Sequence, residues 1–222
     1  MFDYFYHGAM RKLVIGFGSL FDEIYISRKD AENNEIKKIK VPLSYGPKEK
    51  WYRAVKELTE APDGRKTVET ILPRMSFEIT SMIYDTQRKF SSLNKTYGVR
   101  NEQDGTISYT YAEVPYNVEF TLNIIARSID DGYQILEQIL PYFTPDFTIS
   151  MNFNDLNKKI DVPIVLNTVS TIEDYDGDLK DQRRMVTHTL IFTAKSYIFG
   201  PIKTSGLIRE IELTFQELTG EE

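Results

Sequence analysis

The strongest constraint on the fold lies in NVEFTLNIIAR, residues 117–127, where Val118, Phe120, Leu122, Ile124 and Ala126 occupy every second position. A period of two sends side chains alternately to opposite faces of an extended chain, so this segment is a strand with one buried face. The same alternation recurs in SFEITSMIY (76–84), KKIDVPIVLNTV (158–169), MVTHTLIFTAKSYIF (185–199) and LIREIELTFQEL (207–218), with shorter runs at EIYIS (23–27) and EIKKIKVPL (35–43). Long strands that follow one another without helical crossovers predict an α+β fold. We expect a single domain over 1–222, with a largely antiparallel or mixed sheet, about three helices packed on it and long loops between strands. A chain of 222 residues is long enough to bury a large core.

Three stretches carry helical spacing. Met10, Leu13, Val14, Phe17, Leu20, Phe21 and Ile24 recur at three and four residues. Gly16 and Gly18 weaken that helix by about 1 kcal/mol each against Ala, which suggests that they admit a close neighbour. In PKEKWYRAVKELTEAPDG, Pro47 suits a first turn, Trp51, Val55 and Leu58 form the buried stripe, and Pro62 to Gly64 ends the helix. The third helix is expected to take Asp130 as N-cap and to turn Tyr133, Leu136, Ile139, Leu140 and Phe143 toward the core.

That last helix runs into EQILPYFTPDF (137–147). Pro141 removes a backbone donor and disfavours helix in the residue before it, so the helix stops there. Between Pro141 and Pro145 the stiffened backbone holds Tyr142 and Phe143, with Phe147 just beyond, at low entropic cost. They form either an apolar edge for a partner or part of the core. The aromatic start, Phe2, Tyr4, Phe5 and Tyr6, carries the same two readings. TQRKFSSLNKTYGVRNEQDGT (86–106) lies between two strands and is too long for an ordinary connection. A projecting hairpin arm bearing Arg88, Lys89, Lys95 and Arg100 is expected there, reaching a neighbouring subunit or an acidic surface.

Several chemistries fit poorly. Without cysteine there is no disulfide, thiolate zinc site or thiol nucleophile. In KLVIGFGSLF the third glycine of a dinucleotide fingerprint is Phe21, and no βαβ pattern follows. DYDGD alternates Asp174, Asp176 and Asp178, but Gly177 and Met185 stand where a calcium loop has other residues, so a solvated turn is the better reading. His7 and His188 are read as packing histidines. Arg183 and Arg184, adjacent in a strand, point to opposite faces, so at most one serves a given surface. No catalytic, cofactor or metal residue is expected. With 33 acidic and 27 basic side chains the chain is unsuited to gripping DNA by its phosphates. The absence of a basic leader and of any apolar run near 20 residues predicts a soluble protein, with no membrane association.

Taken in order, MFDYFYHGAMRK, IKVPLSYGPKEK, VETILPR (68–74), ILEQILPYFTPDF, the DYDGD turn leading to RRM, and GLIR (206–209) resemble the tail sheath stabilizer, or tail completion, family of large contractile-tailed bacteriophages. The resemblance spans nearly the whole chain. It implies a non-enzymatic virion protein with a fold like that of tail terminators, forming a homo-hexameric ring at the head-proximal end of the tail. The implied partners are the tail sheath protein, the tail terminator and the neck or head completion proteins, with DNA passing through the lumen without specific binding. Assembly is expected in the host cytoplasm. Other readings are a different ring-forming tail component, such as a terminator or baseplate subunit, and a small metal-dependent hydrolase built on the acidic turn.

Overall fold

The central strand of the fold is the one whose alternation is cleanest. In this computed structural model, which describes residues 4–29, 35–59, 72–101, 106–152, 159–176 and 183–206, Val118, Phe120, Leu122, Ile124 and Ala126 are all buried. They belong to β7 (Val114–Ala126), which pairs antiparallel with β4 (Arg74–Tyr84) on one side and β10 (Arg183–Ile198) on the other. The order is β3-β4-β7-β10-β9-β8, with β3 (Leu43–Tyr45), β8 (Asp146–Asn152) and β9 (Lys159–Asp176) completing the sheet. Among the described residues only the β3–β4 pair is parallel. This is the expected α+β domain with a mixed, mainly antiparallel sheet.

Helix α1 (Ala9–Ser19) buries Leu13 and Phe17 against this sheet. A Cβ on Gly16 would meet Met151 Cε of β8 at 2.5 Å, and one on Gly18 would meet Phe77 Cζ of β4 at 3.0 Å and Leu43 Cδ2 of β3 at 4.0 Å. Two residues of one helix thus touch both ends of the sheet, so the sheet curls around α1. Here the two glycines exchange intrinsic helix stability for close approach. Phe17 fills the centre of the curl. It stacks on Phe120 at 4.2 Å between centroids and lies 5.1–5.4 Å from Phe21, Phe77 and Phe192.

Helix α3 (Ile129–Ile139) differs from expectation in its cap and its rotation. Ser128 is the N-cap, its Oγ accepting from the Asp130 amide at 3.3 Å, while Asp130 lies in the first turn. The buried stripe is Asp131, Gly132, Ile135, Leu136 and Ile139, and Tyr133 and Leu140 are largely exposed. Asp131 moves the stripe, because its buried carboxylate receives both guanidinium nitrogens of Arg28 from β1 (Tyr25–Lys29) and fixes that face inward. The helix does yield at Pro141, tightening into a 3-10 turn over Leu140–Tyr142.

EIKKIKVPL is two strands rather than one. The chain breaks at Val41–Pro42, where proline cannot donate to a ladder. β2 (Glu35–Lys40) pairs with β1 in a two-stranded hairpin, while β3 joins the main sheet. Helix α2 (Lys48–Thr59) packs on the opposite sheet face, where Tyr52 Oη meets Thr187 Oγ1 at 2.6 Å and the Arg74 guanidinium lies 3.8 Å from the Trp51 ring. The Val55 and Leu58 side chains, and the expected strand at 207–218, lie outside the described residues.

Candidate assembly surface

Part of the 86–106 segment joins a small sheet. β5 (Lys95–Asn101) pairs with β6 (Thr106–Tyr111), and β11 (Lys203–Gly206) adds on the far side of β6. This small sheet grows from one end of the large one, where β7 begins and β10 ends: Val114 opposes Ile198, and the Ala112 amide reaches the Asn94 carbonyl at 2.9 Å. Arg88 anchors its base. It donates to Asp85 at 2.8 Å and to Asn117 Oδ1 at 2.9 Å, and its guanidinium lies 5.0 Å from the Tyr197 ring. The Arg88 hydrogen bond draws the Asp85 carboxyl below its ordinary value. Arg88 is thereby engaged within its own chain, whereas Lys89 is exposed.

Several large apolar side chains are exposed at this end, among polar ones. Ile83, Tyr84, Phe90, Leu93, Tyr97, Tyr111 and Val114 are all solvent-facing, Leu93 at 83% of its full area. Lys95 lies 4.6 Å above Tyr109 and 5.6 Å from Tyr111. The N-terminal aromatics arrive at the same end, because His7 Nε2 lies 2.9 Å from the Gly200 carbonyl just past β10. Tyr4, at 95%, and Phe5 and Tyr6 are all exposed. Sequence reasoning named the arm for its basic residues and missed its apolar ones. The available signal was the set Phe90, Leu93 and Tyr97 within an otherwise polar run.

The remaining predicted site residues separate. Tyr142 projects into solvent at 67% exposure. Phe143 instead packs inward, 5.0 Å from Phe192 and 6.2 Å from Phe21 and Phe147, and Phe147 is half-buried. Arg183 opposes Asp176 and Arg184 opposes Tyr175 in the β9–β10 ladder. The side chains of Arg100, Arg183, Arg184 and the acidic turn, and all of Phe2, lie outside the described residues.

Between α1 and β8 runs a groove of about 510 Å³ lined by Lys12, Ile15, Gly16, Ser19 and residues 149–152. On the opposite sheet face, beyond α2, the side chains are mostly hydroxyls and amides, paired as Thr189 to Asn123 at 3.0 Å and Asn167 to Thr193 at 2.6 Å. Buried His188 bonds Thr171 Oγ1 through Nδ1 at 2.8 Å. Desolvation lowers its pKa, and nearby Glu173 opposes that shift. Among the described residues no three His, Asp or Glu side chains gather as a metal would require. Among them, too, no helix is long and apolar enough to cross a membrane.

Exposed aromatic residues, an edge of β8 that has no strand partner among the described residues, and an open groove are features suited to a subunit of an assembly. Residues 4–222 match the family described as the T4-like virus Myoviridae tail sheath stabiliser, and the chain belongs to that family. It is also 34% identical over 227 residues to the tail completion protein gp15 of Enterobacteria phage T4, an alignment covering 99% of this chain and 81% of that protein.

Proposed function

We propose that this tail sheath stabiliser completes the tail as a hexameric ring at its head-proximal end. The ring caps the sheath above the tail terminator and tube and presents the docking surface for the neck of the head. It acts without catalysis, and DNA passes its lumen without specific binding, as the acidic balance of the chain favours. Assembly occurs in the host cytoplasm before the head docks.

The observation that carries this reading, within a family of tail sheath stabilisers, is the crowding of exposed apolar residues at one end of the sheet. A monomer rarely leaves so many large apolar side chains together in water, whereas a closed ring made by one repeated heterologous contact buries such a patch in every subunit. Tyr142, the N-terminal aromatics and Lys89 extend the surface offered to neighbours, and Arg100, Arg183 and Arg184 are proposed contacts to sheath or neck.

Light scattering across protein concentration, with negative-stain imaging of the large species, tests the ring. A hexamer mass with annular particles is expected, followed by co-purification with sheath, terminator and neck proteins. A strict monomer at high concentration that also ignores added terminator rings overturns the proposal.

A further inference from the structure

We propose that the free edge of β8, together with the groove between it and α1, receives residues 207–222 of the neighbouring copy as an added strand. The inference rests on the ring reading and names one of its contacts. β8 pairs with β9 through all seven of its residues, and its other edge has no strand partner among the described residues. Such an edge presents a row of backbone donors and acceptors, which is a template for another strand. The floor beside it is apolar and open. Ile149 and Met151 line one wall, Gly16 contributes no side chain, and Ile15 stands 61% exposed on α1.

An occupant of this groove needs an extended backbone and an apolar residue at every second position. EIELTF supplies Ile211, Leu213 and Phe215 between Glu210, Glu212 and Thr214. Residues 207–222 also contain five glutamates against one arginine, which suits a groove that α1 lines with Lys12.

Reach and direction favour another copy of the chain. The N-terminal arm is held at His7, leaving six residues that span about 20 Å at most. Sixteen residues follow Gly206 and span about 50 Å. Gly206 opposes Thr106, which also opposes Asn101, so β11 ends where β5 ends and β6 begins, at the end of the small sheet away from Tyr111. β11 thus runs away from the end of β10, from Lys203 opposite Tyr109 to Gly206 opposite Thr106.

The chain has no cysteine, so introduced pairs report cleanly. Ser150→Cys is combined in turn with Glu210→Cys, Glu212→Cys and Thr214→Cys in the full chain. Each is oxidised and run on a non-reducing gel, with light scattering on the reduced protein. Because oxidation traps and accumulates even a sparsely populated contact, covalent dimers and higher ladders are expected from at least one pair, and Ile15→Asp should reduce their yield severalfold. Exclusively intramolecular disulfides overturn the exchange in favour of the subunit's own edge. No disulfide from any pair, with the reduced protein still scattering as a hexamer, overturns strand addition and leaves the ring standing. No disulfide from a protein that stays a strict monomer even with terminator rings added overturns both.

Discussion

His188 lies directly against Gly132: a Cβ on the glycine would stand 2.2 Å from Nε2 of the imidazole. The contact joins helix α3 to the middle of β10, and Nε2 has no hydrogen-bond partner among the described residues. Gly132→Ala should therefore destabilise the fold by about 1–3 kcal/mol through overpacking, although the same change on an open helix face gains roughly 0.5–1 kcal/mol. Urea denaturation reads the sign. His188→Ala in the same chain should recover part of the loss, since the two side chains compete for one space. A Gly132→Ala protein as stable as the parent would mean that α3 does not seat on the imidazole.

The same histidine sets an acid limit. Its folded pKa lies below the ordinary 6.5 because burial disfavours the charged ring. Below about pH 6.5 the unfolded chain takes up a proton that the folded chain refuses, so stability falls as pH drops from that value toward the folded pKa and is flat in this respect above it. The slope contributed by one such group is at most about 1.4 kcal/mol per pH unit. Denaturant midpoints at pH 7.5, 6.5 and 5.5 should decline across the lower interval. The decline should be shallower in His188→Gln, and an unchanged pH profile in that variant would remove His188 as its source.

Arg28→Ala should cost about 1–3 kcal/mol, because it strands the buried Asp131 carboxylate rather than merely deleting a surface charge. The half-exposed arginine keeps the figure below that of a fully buried pair. Arg28→Ala with Asp131→Asn should be less destabilised than the sum of the single variants. Additive losses in that cycle would show that the pair is not coupled.

Much of this fold was legible because its signals are local. β7 and β10 announce themselves by alternation, since a strand buried on one face must alternate. Pro141 halts α3 by removing a donor. What escaped reading depends on partners distant in sequence. Asp131 points inward because Arg28, more than a hundred residues earlier, meets it. β8 is the exception, since Phe147, Ile149 and Met151 alternate with polar residues through DFTISMN, a local signal that was passed over beside the two prolines. β5, β6 and β11 pair through tyrosines and threonines with no deep core behind them. The candidate surface was half legible for a related reason: a sequence shows that aromatics are present but not which are left outside, and Tyr142 and Phe143 are neighbours with opposite fates.

That divergence allows core and contact to be tested one residue apart. Phe143 packs on Phe192 at the margin of the Phe17 cluster, so Phe143→Ala should lower stability by about 2–4 kcal/mol, somewhat less than a fully enclosed Phe would lose. Tyr142 touches little of its own chain, and Tyr142→Ala should leave the denaturation midpoint within about 0.5 kcal/mol of the parent. Its effect should appear instead as a several-fold weaker self-association, or weaker binding to sheath or terminator rings. An aromatic at the centre of a contact contributes about 2 kcal/mol or more when truncated, and less at the rim. If Tyr142→Ala assembles and binds like the parent, the Pro141–Pro145 edge is no contact, and the stiff backbone there serves only to seat Phe143 in the core.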